Sequence, residues 1–515
     1  MAGCFAIGFE IMGGTFLRLE EQHLRMVEFM KNITYGIKET AIATAFKVPV
    51  TIEVPVSLAN DYVFQCLVFT IANELFRLEP YCPPLNFAVP ANMTNAGLPL
   101  VETGNIRHWL SKWVDKLPYR PTIRFSDYHN EHPHLRIRIG QEVIRVACCG
   151  WNLVLEEDES PTWDETLPII AAITATVVVT EIVKRLLHSF IPSVRPICSL
   201  NYSFYDYALH ESGAPVPPSF KIPGAVLVGA GGIGSAFIYG LLLQRNVSGD
   251  IVVIDHDKID KTNLNRILYA LSEDIGSSKA EMAKRLLEGH TAITVQPKLS
   301  RWAECFNEVD HSLILGALDD DDVRKSIQSD LPKVYLDGGT GVDNWRVSRH
   351  DVLDSGCIFC LTADQSGSDL LELREIGILQ AAITRKYETD EQVNEEDLAF
   401  VDDHLNDVFL GRTLRDGLDR YHASEVCGMT SYLNGQHMSA PHLSSMPGLL
   451  MALEVLKMSL DAKGPFHRFE NVLRGNVRGR LHSRTCSREV KPGCVFCGND
   501  AYRSRYRIKW GLESQ

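Results

Sequence analysis

Gly229-Ala-Gly231-Gly232-Ile-Gly234 is the densest chemical signal in this sequence. Glycines at this spacing permit a tight turn and let backbone come close to a phosphate, while the helix that follows offers its N-terminal amides and positive dipole end. Asp255 closes the next apolar run, where a carboxylate accepts ribose hydroxyls. Taken alone, this pattern says only "nucleotide", and a nicotinamide dinucleotide fits as well as ATP. Asp257 and the run Asn263-Leu-Asn-Arg266 come next. On a helical turn Asn263 and Arg266 share one face, and a guanidinium there can hold phosphate oxygens bidentately. Lys279 adds a point charge suited to a triphosphate during displacement. Asp319-Asp-Asp-Asp-Val-Arg324 follows an expected strand at 313–315. A carboxylate at such a strand end faces the ligand crevice and can hold Mg²⁺. Spacing does not choose among the four aspartates.

A second, independent signal is metal-binding. Gly356-Cys357-Ile-Phe-Cys360 and Gly493-Cys494-Val-Phe-Cys497 are nearly identical knuckles. Two C-x-x-C pairs supply four thiolates for a tetrahedral, closed, structural Zn²⁺ site. A redox pair needs only one. Cys427, in Glu425-Val-Cys-Gly, stands apart as a candidate nucleophile, with His422 and His437 as nearby bases.

These residues need a scaffold. The runs 225–228 and 250–255 flank the glycine loop and a helix at 235–244, which makes a βαβ unit of a parallel sheet, with further strands expected at 313–315 and 334–336. Two apolar helices are expected at 175–184 and 448–457; both end in Glu, two aliphatics and Lys, which suggests a distant internal duplication. The Pro/Gly/Ser-rich stretch 211–223 divides residues 1–215 from 216–515. The first part has no counterpart of the glycine loop. The acidic stretch 387–407 reads as a solvated helix or insertion. With 515 residues, 45% hydrophobic and 23% charged, the chain is a multi-domain globular protein. Its net charge is −14, and no basic face for nucleic acid stands out in the sequence. No basic leader opens it, and the apolar run 167–179 is too short to span a membrane. Thirteen cysteines, an odd number, point to the reducing cytoplasm.

In order, GxGGxGS, Asp, Asp, NxNR, Lys, DxxxxR and the Asp337-Gly-Gly339 motif resemble the E1-like (ThiF/MoeB/HesA) superfamily from about residue 224 to 339, and the cysteine knuckles extend the resemblance to Cys497. The resemblance implies an α/β fold: a Rossmann-like adenylation domain with a mainly parallel sheet and a zinc knuckle, preceded by a degenerate adenylation-like domain. It implies an ATP·Mg²⁺ site on Gly229, Gly231, Gly232, Gly234, Asp255, Asp257, Asn263, Arg266, Lys279 and Asp319. It implies Cys427 as the thioester cysteine, in a loop of about residues 365–446. The partner implied is a ubiquitin-like protein with a free C-terminal tail, with an E2-like carrier downstream. Family sites are completed across a dimer interface by a lent arginine. Here the donor is a second copy or residues 1–215, with Arg18 and Arg25 as candidates. A degenerate half, an active half and no ubiquitin-fold domain look like the E1 components of bacterial antiphage conjugation operons. Sulfur-carrier adenylyltransferases of the MoeB/ThiF type share the chemistry but lack the extra half. An NAD(P)-binding oxidoreductase has no use for Arg266 and Lys279.

Overall fold

Four consecutive buried residues, Ala225–Val228, form a strand that must be covered on both faces, as in parallel sheets. The computed structural model describes residues 39–190, 194–209, 215–341, 344–350, shorter runs between 353 and 417, 440–460, 472–476, 484–486, 490 and 494–512. By internal contacts these fall into two units: one holds residues up to 318, 336–348 and 438–485, the other 319–335, 349–437 and 486–515.

The first unit contains two sheets. In the N-terminal one, β1 (Val50–Glu53), β2 (Leu85–Val89) and β3 (Ile123–Asp127) are parallel. β4 (Leu135–Ile139), β5 (Glu142–Cys149), β6 (Asn152–Glu156) and β7 (Ser199–Ser203) continue antiparallel, giving the order β3-β2-β1-β4-β5-β6-β7. Helices α1 (Tyr62–Phe76), α2 (Ile106–Asp115) and α3 (Pro168–His188) link these strands. The second sheet is built from β8 (Phe220–Lys221), β9 (Ala225–Val228), β10 (Val247–Ile254), β11 (Ala292–Lys298), β12 (Leu313–Gly316), β13 (Val334–Thr340), β14 (Asn344–His350), β15 (Val472–Asn476) and β16 (Arg484–Cys486). Its order is β11-β10-β9-β12-β13-β14-β15-β16, with β8 beside β10. The strands β11, β10, β9 and β12 run parallel, the Rossmann arrangement. Helices α4 (Gly232–Gln244), α5 (Lys279–His290) and α7 (Pro441–Lys457) belong to this unit, and α6 (Asp321–Ser329) and α8 (Asp500–Trp510) to the second.

α3, α4 and α7 are mostly apolar and almost entirely buried, so they form the core itself rather than cover it. A Cβ at Gly448 of α7 would lie 2.2 Å from the Ile233 carbonyl oxygen of α4; glycine is what allows the two helices to come this close. α3 and α7 both start with proline. Both carry a buried Glu–Lys pair one turn apart: Glu181–Lys184 at 2.5 Å and Glu454–Lys457 at 2.8 Å. Among the described residues, no helix is long and apolar enough to cross a membrane.

The second unit is held by α8, whose Tyr506 hydroxyl donates to the Lys333 carbonyl at 2.7 Å and whose Tyr502 hydroxyl donates to that of Gln328. The acidic stretch 387–407 is not wholly solvated: Asp397 is buried and pairs with Lys386 at 2.5 Å.

Glu74 of α1 is fully buried and accepts from the Thr176 hydroxyl of α3 at 2.9 Å. Burial pushes its carboxyl up to about 8, against smaller lowering effects from Thr176 and Ser445. The folded chain therefore keeps a proton that the unfolded chain releases near pH 4.3, so this group's contribution to stability falls as pH rises from about 4.3 towards 8. Urea midpoints are expected to show the advantage of Glu74→Gln over wild type growing across that window. Parallel midpoint curves would contradict a raised Glu74.

Candidate functional site

The glycine loop sits between β9 and α4. Gly229 has φ +92°, and a Cβ there would stand 2.5 Å from the Ala317 carbonyl oxygen, so no other residue fits without strain. α4 begins at Gly232 with Gly231 as N-cap, and no side chain caps it. Its first amides are left to an anion, and a Cβ at Gly231 would meet nothing within 4 Å. Such a loop has the geometry to cradle a phosphate.

Asp255 is buried at the end of β10 and ties the loop down. One carboxylate oxygen accepts the Ala230 amide at 2.6 Å and the other the Asp257 amide at 2.8 Å. Its remaining lone pairs suit ribose hydroxyls. Lys279 is the first residue of α5, against the helix dipole, and is held there by Asp257 at 2.9 Å. Burial raises the Asp257 carboxyl, but the Lys279 hydrogen bond and charge, with His256 and Arg301, outweigh it and leave it below its ordinary value. Asp255, His256 and Asp257 come within metal-binding distance of one another. Their carboxylates are, however, engaged by amides and an ammonium, which disfavours a cation among them.

The Arg266 stem lies over the glycine loop: a Cβ at Gly232 would be 3.0 Å from its Cδ and 3.1 Å from the Ser444 Cβ of α7. Its Nη1 donates to the Thr262 carbonyl at 2.9 Å. Asn263 ends a short 3₁₀ turn, Lys261–Asn263, and its Oδ1 accepts the Asp260 amide at 3.0 Å, so its NH₂ is what remains for a ligand.

Sequence reasoning missed what holds this turn. Arg77, at the end of α1, is fully buried and donates to the carbonyls of Leu264, of Leu268 at 3.0 Å and of Ala270 at 2.9 Å. Its Nε donates to Asn73 at 2.9 Å, and Asn73 donates to Leu268 at 2.7 Å. Burial lowers the guanidinium to about 10, so it stays charged at neutral pH. A helix of the first half thus clamps the segment that carries Arg266. The only sequence signal was an arginine closing an otherwise apolar helix.

In the second unit the sulfurs of Cys357, Cys360, Cys494 and Cys497 lie within 4.8 Å of one another. Cys357–Cys494 is 3.7 Å and Cys360–Cys497 is 3.3 Å, too long for disulfides. Four thiolates at 2.3 Å from one Zn²⁺ stand about 3.8 Å apart, so the donor set fits. Also in this unit, three of the four aspartates are committed. Asp320 caps α6 by accepting the Asp322 and Val323 amides, Asp321 pairs with Arg324 at 2.8 Å, and Asp322 with Lys325 at 3.5 Å. Among the described residues, exposed Asp319 has no side-chain partner. Cys427, His422, His437, Arg18 and Arg25 lie outside the described residues.

Fold and cradle together define a Rossmann-type nucleotide-binding protein. The ThiF family model matches residues 223–494, more than half of the sequence, and the chain belongs to the ThiF family. An uncharacterized protein, y4jF, of Sinorhizobium fredii is 26% identical over 61% of this chain and 64% of its own length. The NEDD8-activating enzyme E1 catalytic subunit of Arabidopsis thaliana is 35% identical over 22% of this chain and 29% of its own. The chain thus spans less than two thirds of either relative. A solved structure of E. coli MccB with ATP is 16% identical, covering 54% of this chain and 67% of that one at a TM-score of 0.35, a likeness too slight to build on.

Arg77→Met should weaken ATP binding by calorimetry roughly tenfold to a hundredfold, by releasing the turn that aims Arg266, and amides 264–270 should exchange faster. Leu67→Ala, a core truncation on the same helix, should lower Tm without changing ATP affinity. Equal affinity losses in both would reduce the clamp to general stability. Separately, the purified protein should carry about one zinc per chain, and Cys494→Ser should lower both metal content and Tm; a metal-free wild type would refute the site.

Proposed function

We propose that this protein uses ATP to activate the C-terminal carboxylate of a ubiquitin-like protein. What supports the reading most is the uncapped start of α4 under the Arg266 stem, with Asp255 and Lys279 beside it. ATP supplies the electrophilic α-phosphate and the pyrophosphate leaving group. The amides of the 229–234 loop and Arg266 hold phosphate oxygens, Asp255 and Asn263 orient the nucleotide, and Lys279 offsets the charge that develops. Of its acidic run, Asp319 is the residue left for Mg²⁺. The partner's carboxylate oxygen attacks the α-phosphorus, the bond to pyrophosphate breaks, and an acyl adenylate results. The Cys427 thiolate then attacks the acyl carbon and AMP leaves, giving a thioester for an E2-like carrier. The tetracysteine set holds Zn²⁺ as a closed structural site.

We read residues 1–215 as a degenerate copy of the adenylation half, 216–515. The paired Glu–Lys helices and the shared parallel strand trio favour this. A role in antiphage defence rests on the resemblance of this two-half layout to the E1 components of bacterial conjugation operons. None of the described cysteines forms a disulfide, which suits a reducing cytoplasm. A sulfur-carrier adenylyltransferase is the second reading; it shares the adenylation step and needs no thioester on Cys427. An NAD(P)-dependent oxidoreductase accounts for neither Arg266 nor Lys279.

Exchange of labelled pyrophosphate into ATP, dependent on one ubiquitin-like protein, tests the first step. Asp319→Ala should cut it roughly a hundredfold. Cys427→Ala should spare exchange and abolish a reducible conjugate. Exchange without any conjugate in wild type selects the sulfur-carrier reading. ATP binding without exchange for any partner would sink both.

A further inference from the structure

The outer face of the first sheet carries a polar cluster that activation of a carboxylate does not use. In the second sheet the chain passes through α6 between β12 and β13. In the first, β4 and β5 are joined by a tight turn at Gly140, so this connection supplies no covering helix. Leu135, Ile137 and Ile139 of β4 are buried on one face, and strand alternation sends His134, Arg136 and Arg138 to the other. Register places Arg136 directly opposite Arg145 on one side and Glu53 on the other. Like charges directly opposed across strands destabilise a sheet unless an anion lies between them.

Two carboxylates flank the arginine pair, and the first, Glu53, is already shared. Glu53 accepts from Arg138 at 2.6 and 3.1 Å and from the Tyr128 hydroxyl at 3.0 Å, with Arg136 at 3.5 Å. Glu156, opposite Arg145 on β6, accepts instead from the Ser199 hydroxyl at 2.7 Å. Three buried nitrogens of this face are left without a partner: Arg136 Nε, Arg145 Nη1 and His134 Nε2. The His134 ring is 1% exposed, stacks on His132 at 5.4 Å and faces the Pro161 carbonyl oxygen through Nδ1 at 3.1 Å. A carbonyl only accepts, so Nδ1 carries the hydrogen and Nε2 is a bare acceptor. Burial, followed by His132 and the two arginines, pushes this imidazole down to about 4, which keeps it neutral. The unpartnered atoms are therefore two cationic donors and one neutral acceptor. A fully deprotonated oxyanion satisfies the donors and repels the acceptor. An oxyanion that keeps one hydrogen satisfies all three.

We propose that Arg136, Arg145 and His134 form a second anion site, distinct from the glycine loop, that takes hydrogen phosphate: two of its oxygens accept from the guanidinium groups and its P–OH donates to His134 Nε2.

Calorimetric titration of the full chain with inorganic phosphate at pH 7.5 and fixed ionic strength tests this. Saturable binding is expected, with sulfate, which has no hydrogen to give, roughly tenfold weaker or more. Arg145→Met and Arg136→Gln should each abolish it, and Arg266→Ala should leave it intact. If Arg145→Met does not fold, Arg145→Lys, which keeps charge but loses the planar fork, should still weaken binding at unchanged Tm. Binding lost in Arg266→Ala but kept in Arg145→Met would assign it to the glycine loop and overturn the proposal. So would equal affinity for sulfate, or no saturable binding, which would mean that water fills the set.

Discussion

A guanidinium with no access to water must find protein acceptors for its donors. Arg77 finds them in the carbonyls of one segment, Leu264 to Ala270. Losing one such partner strands a buried group at about 1–3 kcal/mol. The segment is therefore not free to drift, and neither is Arg266 within it. Because Arg77 belongs to α1 of the first sheet, the nucleotide cradle of the second sheet is shaped from outside its own βαβ unit. The close α4–α7 contact at Gly448 acts in the same direction, bringing Ser444 to the glycine loop from a helix far along the chain.

The glycine loop, its strands, the acidic tip at Asp255 and the four-cysteine set were legible in the sequence because each rests on local rules: turn geometry, apolar runs, ligand spacing. The pairing of Lys279 with Asp257 was not, since nothing in spacing says that a lysine opens a helix against its dipole. Arg77 was hidden for a similar reason: an arginine beside an apolar stretch usually snorkels to water. Spacing puts Asn263 on one face with Arg266, but it does not show that the Asn263 side-chain oxygen also caps its own turn. The choice among the aspartates could not be made from sequence and becomes narrower once capping and ion pairs are assigned.

The two sheets start alike and then part. Each opens with three parallel strands linked by helices. After that, one continues through a crossover and the other turns back on itself in a hairpin. The reversal of β5 against β4 follows directly from the two-residue link at Gly140, too short for a parallel return. It removes any counterpart of the acidic run after β12. It also leaves a sheet face where arginines replace the aliphatic residues a helix would require.

The two cysteine knuckles are 137 residues apart in each facing pair. Fastening them brings the ends of a very long span together, and the entropy of closing a span grows only logarithmically. Doubling its length costs about 0.6 kcal/mol more. The connections between the knuckles and the core helix α7 can thus be lengthened or shortened at small thermodynamic expense while their ends stay fixed, which makes these connections, and not α7, the natural place for variants of the fold to diverge.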